Sequence, residues 1–342
     1  MNSNMITRHT RILAIAALLF TTTLSAVAQK TNKLNRYLDS VLSVRYQRAD
    51  IDTNYVVRPD KKWTLTGRLN VSGARIMGEG KREGEPFETR MTADYKTTVC
   101  VGVSYMGLSA FLALNPAKLL GKYNDYELNF QSYSPRFGFD IAYQDAHNFK
   151  GWYEIGDAHH DVTTYDEMFR LRTLNVNAYY VFNSRRFSYP AAFVHSYIQR
   201  RSAGSFMLAV SGQGQHGKVA GDEEILEDIH RKMDFKMTNV AIGGGYGYNY
   251  VPANGWLIHL SALPTYIIYT KTTITLGDTK AHLHHSFPEG ILTTRAAVVK
   301  QIGRNKVAGL SIRYNFTTIG DADQLAVRNQ KWRTRLYFGI RL

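Results

Sequence analysis

Two clusters of histidine are the residues of this sequence whose types and spacing come nearest to metal chemistry. They are His159, His160 and Asp161 in one segment, and His282, His284 and His285 in another. Imidazole nitrogens and a carboxylate can hold Zn²⁺ or Cu²⁺ when two loops bring them together. Neither spacing is a recognised ligand frame, and polar loops often carry histidine. Two interpretations therefore stay open: a surface metal site, or solvated loop residues.

A second set of candidates consists of charged residues that alternate with apolar ones and so share one face of an extended chain. If the strands close into a barrel, the residues that line its interior are Arg68, Glu127, Asp140, Arg313, Arg333, Arg335 and Arg341. The arginines outnumber the carboxylates, which predicts a net positive lumen. Such a lumen is either an internal ion-pair network that closes a narrow barrel, or an anion-favouring pore.

No arrangement of residues predicts an enzyme. His195 and Ser196 are adjacent, so their side chains diverge on a strand and cannot form a nucleophile–base pair. The run Gly243–Tyr248 lacks the helix and the Gly-Lys-Ser/Thr of a phosphate-binding loop, and small residues beside bulky lumen side chains explain it more simply. We expect neither a catalytic site nor a cofactor, and an enzymatic barrel is kept as an alternative.

The elements that must position these residues are strands. In the last eleven residues, one face carries the apolar side chains Trp332, Leu336, Phe338, Ile340 and Leu342, and the other carries Arg333, Arg335 and Arg341. The same period of two recurs from Trp63 onward and gives about twelve strands. Lipid on one side and a polar interior on the other explain this pattern, so we predict an all-β, closed antiparallel transmembrane β-barrel. A soluble β-sandwich or soluble barrel is the competing fold.

The connections between the strands alternate in length. Tight turns alternate with long polar loops, which we predict at 77–93, 116–124, 148–167, 215–235, 271–290 and 319–330. Outer-membrane barrels have short periplasmic turns and long extracellular loops. Tyr105, Tyr133, Tyr250 and Trp256 lie beside short turns, where we expect an aromatic girdle. The exception is 183–202, a long segment on the short-turn side, which is a self-packed turn, a plug or a docking site for a periplasmic partner.

The first 28 residues read as a signal peptide. Arg8, His9 and Arg11 precede the short apolar run Ile12–Phe20, and Ala26 and Ala28 are the small residues of a cleavage site before Gln29. We therefore divide the chain into a signal peptide at 1–28, a periplasmic lead-in at 29–62 with a weak amphipathic helix, and a barrel at 63–342. The expected location is the outer membrane.

The net charge of +14 makes nucleic acid a class to consider, because basic domains often bind it. The basic residues are scattered, however, without a dense cluster, so no nucleic-acid partner is expected. The expected partners are outer-membrane lipid and lipopolysaccharide, whose acidic head groups suit a basic surface, and the barrel-assembly machinery. The single cysteine, Cys100, excludes an internal disulfide framework.

Several segments resemble a known family. They are Phe187–Phe193 followed by Gln199–Ser205, the lead-in Asp52–Tyr55, the stretch Tyr105–Leu114, and Arg136–Asp140. These segments are similar to a Bacteroidetes family known only as a domain of unknown function, number four-four-two-one. The resemblance extends over nearly the whole mature chain. It implies an outer-membrane barrel and brings no activity and no catalytic residues.

Together these observations predict a porin-like protein, that is, a passive pore or a structural membrane protein. The polar inner face and the lack of a catalytic frame favour this class. The alternative is a surface-binding barrel, with metal as one ligand, or an enzymatic barrel, and it depends on the histidine clusters.

Overall fold

The computed structural model describes residues 49–82, 84–106, 108–114, 126–147, 149–163, 169–219, 233–276, 279–282, 289–321 and 325–342, with Ser40 and Tyr46. The predicted signal peptide and most of the predicted amphipathic helix lie outside these residues. The unit described below is Asp50–Leu342. No helix in this part of the chain is long and apolar enough to cross a membrane.

The described chain is almost entirely β-structure, because its period of two suits strands with two different faces. In chain order its elements are β1 (Val56–Val57), β2 (Trp63–Arg82), β3 (Glu85–Ala93), β4 (Lys96–Tyr105), β5 (Leu108–Leu114), β6 (Tyr126–Tyr133), β7 (Phe137–Ala146), β8 (Phe149–Ile155), β9 (Ala158–Thr163), β10 (Phe169–Val181), α1 (Tyr189–Phe193), β11 (Ile198–Gln199), β12 (Ala203–Val219), β13 (Met233–Tyr250), β14 (Trp256–Leu276), β15 (Thr279–His282), β16 (Gly290–Ile302), β17 (Lys306–Asp321) and β18 (Leu325–Arg341).

Twelve of these strands close into an antiparallel barrel, which confirms the predicted fold. Its strands are, in order around the wall, β2, β4, β5, β6, β7, β10, β12, β13, β14, β16, β17 and β18. The last strand pairs with the first along its whole length, from Leu325 opposite Gly80 to Arg341 opposite Thr64. Closure leaves no free edge between the first and last strands. Below, the near end of the barrel is the end that holds Trp63 and Leu342, and the far end is the opposite one.

The two faces of the wall differ as the alternation predicts. On β18, Leu336 is 57% exposed and Phe338 is 46% exposed on the outside, whereas Arg341 is only 2% exposed on the inside. Valines and leucines of β2 and β4 are exposed in the same way. An apolar outer surface of this kind on a closed barrel is the surface that faces lipid in transmembrane barrels.

The predicted long loops are wrong in several places, because many of their residues form strands. Residues 77–93 belong to a hairpin of β2 and β3, which pair from Arg75 opposite Thr92 to Arg82 opposite Glu85. Residues at both ends of 215–235 belong to β12 and β13. Beyond the apolar belt both faces of a strand can be polar, so the alternation that marks a strand in sequence disappears.

The aromatic girdle prediction is wrong for Tyr133. Tyr250 and Trp256 are exposed on the outside, whereas Tyr133 is buried. Tyr105 packs against Trp63, with ring centroids 4.4 Å apart. Tyr133 points into the lumen and donates a hydrogen bond to Asp140. An inward aromatic residue is stable here because the near end of the lumen is filled.

Candidate functional site

The segment 183–202, called the plug below, fills the near end of the lumen. Its helix α1 begins after Ser188, whose hydroxyl accepts a hydrogen bond from the Ala191 N–H at 3.3 Å, and Pro190 lies in the first turn. Phe187, Tyr189 and His195 are fully buried. Of the three interpretations that the sequence leaves open, the structure has the segment folded back into the barrel.

Aromatic contacts join the plug to three strands of the wall. The ring centroid of Tyr189 lies 5.7 Å from Tyr133 on β6, 5.9 Å from Tyr179 on β10 and 5.3 Å from His259 on β14. The guanidinium of Arg295 lies 5.5 Å from the centre of the Tyr189 ring, in cation–π distance. The plug is therefore held from several sides of the lumen.

A buried ion pair lies directly beside this aromatic cluster. Arg295 on β16 donates to Asp140 on β7 at 2.5 Å and to the Tyr133 hydroxyl at 3.0 Å. The Tyr179 hydroxyl donates to the same carboxylate at 3.0 Å, and Arg313 lies 3.5 Å from it. A buried carboxylate needs such partners, because an unpaired charge in a low dielectric is costly.

A hydrogen-bond network centred on Gln199 joins the two arms of the plug to each other and to the wall. The Gln199 side-chain oxygen accepts from the Ser188 N–H and from Asn249, both at 2.9 Å. Its amide nitrogen donates to the carbonyls of Arg186 at 2.6 Å and Arg201 at 2.8 Å. All four bonding positions of this amide are used.

Two further wall residues fit the plug closely. The amide of Asn249 also donates to the Ser188 carbonyl, and its oxygen lies 2.7 Å from His259 Nδ1. A Cβ on Gly247 would lie only 3.0 Å from Phe187. The glycine run 243–247 thus includes a position whose lack of a side chain makes room for the plug, which agrees with the structural interpretation of that run.

His195 is a titratable residue of the plug that is fully buried. Its ring stacks on Tyr337 of β18 with centroids 4.4 Å apart, and its carbonyl accepts from Arg341 at 3.4 Å. Burial, together with the positive charges of Arg68 and Arg341, lowers the pKa of His195 to about 3. The residue is therefore neutral near pH 7.

The lead-in is attached to the plug by a two-stranded ladder. Val56 and Val57 of β1 pair with Gln199 and Ile198 of β11, and the Arg200 N–H donates to the Tyr55 carbonyl at 2.7 Å. Asp52 accepts from the Asn54 N–H and lies 3.4 Å from Arg186, and both contacts keep the pKa of Asp52 below its usual value. This attachment is called the tether below.

On the far side of the Asp140–Arg295 pair, the lumen contains two adjoining cavities, in which the centre of a water molecule can occupy about 20 and 50 Å³. We call them together the basic chamber. Both are lined by Arg313, Lys331, Asn175 and Asn315, and Arg333 lines the larger one. Among the described residues that line them there is no carboxylate.

The predicted lumen residues are divided between the region beside the plug and the rest of the lumen. Arg68 and Asp140 are buried beside the plug, and Arg68 lies 3.4 Å from the centre of the Phe111 ring. Arg333 donates to Asn129 at 2.8 Å, and Arg335 to Gln131 at 3.5 Å. Glu127 belongs to β6, but its side chain lies outside the described part of the structure.

The predicted metal residues are only partly described. His159 lies on β9 with Nδ1 2.7 Å from Glu154 and Nε2 3.5 Å from Asp161, and the hydrogen bond with Glu154 raises the pKa of His159. His160 stacks on Tyr153, with ring centroids 4.8 Å apart. His284, His285 and the side chain of His282 lie outside the description. Among the residues that are described, no cluster suits a metal ion, and the predicted site stays a prediction.

Sequence reasoning missed the residues that hold the plug, namely Tyr133, Tyr179, Tyr189, Arg295, Gln199, Asn249 and His259. One signal for Arg295 was available. It is the sole charged residue between Gly290 and Val299. A lone cation in an apolar strand needs a buried partner, and Asp140 is the predicted inward carboxylate that it meets.

Three solved structures of bacterial proteins show some likeness to this chain. Outer membrane protease OmpT from Escherichia coli is 8% identical with a TM-score of 0.43, covering 83% of this chain and 97% of that one. The translocator domain of autotransporter NalP from Neisseria meningitidis is 8% identical with a TM-score of 0.29, covering 94% and 99%. Outer membrane protein OprG from Pseudomonas aeruginosa is 10% identical with a TM-score of 0.27, covering 84% and 98%. With TM-scores this low, we infer no activity for this chain from any of the three proteins.

No curated protein matches the sequence. A family match, in contrast, covers residues 50–341, which include the plug, the tether and every barrel strand. The chain therefore belongs to the family described as Domain of unknown function (DUF4421).

Proposed function

We propose that this protein is an outer-membrane barrel whose lumen is a passage for small anions that the plug holds closed at rest. The apolar outer surface of the closed barrel supports the membrane location. The near end, with its short turns and the tether, faces the periplasm in this proposal.

The observation that carries the proposal is the packing of the plug. Tyr189, Phe187 and His195 are fully buried against residues of β6, β10, β14 and β18. A segment that fills the lumen in this way blocks the route through a narrow barrel. An unobstructed passive pore is therefore not the resting state that we propose.

The charge of the lumen supports the preference for anions. Arg68, Arg295, Arg313, Arg333 and Arg335 face inward, and Asp140 is the carboxylate that pairs with two of them. Charged rings in a pore set its selectivity through the sign of their field. Cations are repelled from such a lumen, and small anions are attracted.

Single-channel recording in planar bilayers tests the proposal. The wild-type protein should be mostly silent, whereas Tyr189→Ala, which removes the central plug contact, should open channels that prefer chloride to potassium. Tyr248→Ala is the matched control, because Tyr248 is 43% exposed on the outer surface and should leave the channel closed.

Two results would contradict the proposal. Stable, fully open channels from the wild-type protein would mean that the plug does not close the lumen. Silence of the Tyr189→Ala variant, when its heat-dependent gel mobility shows that the barrel is folded, would mean that the barrel has a structural role and no passage.

A further inference from the structure

We infer that the outer surface of the near end, at Trp256, Lys300, Arg304 and Lys306, binds the head group of an anionic glycerophospholipid. These four residues are called the rim cluster below. Trp256 begins β14, Lys300 lies near the end of β16, Arg304 lies in the turn that follows, and Lys306 begins β17. The inference shares the membrane location and the orientation of the proposed function, and it does not depend on the passage.

The strand register places the rim cluster where the aliphatic outer surface ends. Ile258, Val298 and Leu310 are direct cross-strand partners on β14, β16 and β17, and all three are exposed on the outside. One step closer to the near end on the same face, Trp256 is the direct partner of Lys300. The outer surface therefore changes from aliphatic to aromatic and cationic, which is the order of acyl chains and head groups in a membrane leaflet.

The contact between Trp256 and Lys300 fixes a positive charge at that level. The Lys300 ammonium lies 4.6 Å from the centre of the Trp256 ring, in cation–π distance. A lysine on an apolar wall lays its aliphatic stem along the wall and keeps its ammonium at the polar boundary. An indole ring is stable at the same depth, because one part of it is apolar and its N–H is polar.

Two further cations belong to the same part of the rim. Lys306 is the direct partner of Ile302 across the end of the hairpin, and Arg304 lies in the turn between them. All three residues are exposed. A guanidinium and two ammonium groups supply the charge-assisted donors that phosphate oxygens accept.

The chain supplies little negative charge to balance these cations. Residues 290–320, which include the hairpin, contain no Asp or Glu, and neither do residues 235–277, which include β14. Residues 30–48, most of which lie outside the described part of the chain, carry one carboxylate against five lysines and arginines. The Arg341 N–H donates to the Asn305 carbonyl at 2.7 Å, so the carboxylate of the chain end lies near the turn. That one charge does not balance three cations.

The apolar residues beside the cations favour a lipid over a free anion. In the row of Lys300 across the wall, the next residues are Ala308 on β17 and Phe338 on β18. The small side chain of Ala308 leaves room for an acyl chain between its two larger neighbours, and Phe338 is exposed to contact it. A free phosphate ion would gain nothing from this surface, whereas a phospholipid gains both apolar contact and charge attraction. In the proposed orientation the near end lies in the leaflet opposite to lipopolysaccharide.

Native mass spectrometry of the mature barrel in a nonionic detergent tests the inference. Phosphatidylglycerol and phosphatidylcholine with the same acyl chains are titrated separately, and phosphatidylglycerol should bind more tightly. Lys300→Gln and Lys306→Gln should each weaken phosphatidylglycerol binding by about fivefold, as expected for the loss of one cation near an anionic head group. Binding of phosphatidylcholine should stay the same, and heat-dependent gel mobility reports that each variant is folded.

Arg200→Gln is the matched control. Arg200 is an exposed residue of the plug, and its substitution changes the net charge by the same amount. The variant should bind phosphatidylglycerol with wild-type affinity. Equal weakening in Arg200→Gln and Lys300→Gln would reduce the effect to overall charge and overturn the site, as would equal affinity of the wild-type protein for the two lipids.

Two competitors decide the source of the phosphate. Displacement of phosphatidylglycerol by an equal concentration of inorganic phosphate would assign the rim cluster to a free anion and overturn the inference. Tighter binding of lipid A, weakened by Lys300→Gln, would place the near end in the opposite leaflet and overturn it too.

The outcome is separable from that of the proposed function, because lipid binds outside the barrel and needs no open lumen. Preferred binding of phosphatidylglycerol with a silent Tyr189→Ala variant would support the rim cluster and contradict the passage. Open channels without any lipid preference would do the reverse.

Discussion

The plug and the basic chamber are neighbouring parts of one lumen, and they treat buried charge in opposite ways. Beside the plug, Arg295 has a carboxylate, two tyrosine hydroxyls and aromatic rings as partners. In the chamber, the Lys331 ammonium has no hydrogen-bond partner among the described residues. The first arrangement pairs a buried charge with an opposite one, whereas the second leaves a cation without such a partner in the described part of the chain.

This difference shows that a cation inside the barrel has no fixed role. A buried pair is destabilising to break, because the remaining charge has lost its partner. A cation within a group of like charges can be removed with little cost or with a gain. The following predictions test whether the two regions differ in this way.

The largest effect is expected for Arg295→Met, compared with the same substitution at Lys331. Removal of Arg295 deprives Asp140 of its closest cation and should lower the free energy of unfolding by about 3–5 kcal/mol. Lys331→Met removes a cation that has no hydrogen-bond partner among the described residues, and it should change the free energy of unfolding by less than about 1 kcal/mol. The measurement is the urea midpoint for loss of the heat-dependent gel shift. Equal destabilisation by the two variants would remove the contrast between plug and chamber.

The next effect concerns the hydrogen-bond network of the plug. Gln199→Ala leaves the Ser188 N–H without its acceptor and two carbonyl groups without their donor. We therefore expect the free energy of unfolding to fall by about 3 kcal/mol. Gln215→Ala is the control, because Gln215 is a buried lumen glutamine whose amide nitrogen has no partner among the described residues. The same urea titration reports both variants. If Gln215→Ala lowered the free energy of unfolding as much as Gln199→Ala does, the result would contradict the stabilising role of the Gln199 network.

A lower pH should destabilise the packing of the plug, because the unfolded state then binds a proton at His195 that the folded state does not bind. The unfolded histidine titrates near its ordinary pKa of 6.5 and the folded one near 3, so the unfolded state binds more protons between these values. The contribution of the neutral His195 to the free energy of unfolding is fully present above about pH 6.5. It falls as the pH decreases, by at most about 1.4 kcal/mol per pH unit. Open probability in bilayers should therefore rise between pH 7 and pH 4.5.

His195→Asn isolates this effect, because asparagine does not titrate there and tolerates the positive φ of 60° at this position. The variant should lose most of the acid response, although Asp52 also contributes at lower pH. An unchanged acid response in His195→Asn would assign it to other groups.

The smallest effect is expected at the tether. Asp52→Asn removes the charge that faces Arg186 and should raise hydrogen exchange at the Arg200 amide a few-fold. Because the pKa of Asp52 is lowered, this contact is present at neutral pH and is lost as the pH falls through the lowered value. Asp50→Asn is the control, since both Asp50 and Arg185 are largely exposed in their ion pair. Equal exchange rates in the two variants would argue against a role of Asp52 in the tether.

The fold was predictable because its main physical cause is periodic in the sequence. Because lipid lies outside and polar groups lie inside, apolar and polar residues must alternate along each strand. Strand β18 shows this alternation from Trp332 to Leu342. The hairpin of β2 and β3 was not predictable in this way, because polar and apolar residues do not alternate regularly along it. The inward position of Tyr133, which we predicted in the aromatic girdle, was missed because it depends on contacts with the plug.

The sequence by itself determined the alternation, the strand number and the inward direction of residues such as Arg333 and Arg341. These are local properties, because the direction of a side chain follows from its position on a strand. Only the tertiary structure decided which charges are paired. Arg295 and Asp140 are 155 residues apart, and Asn249 is 50 residues from Gln199. No period in the sequence encodes such contacts, since they form only when the closed barrel brings distant strands and the plug into one lumen.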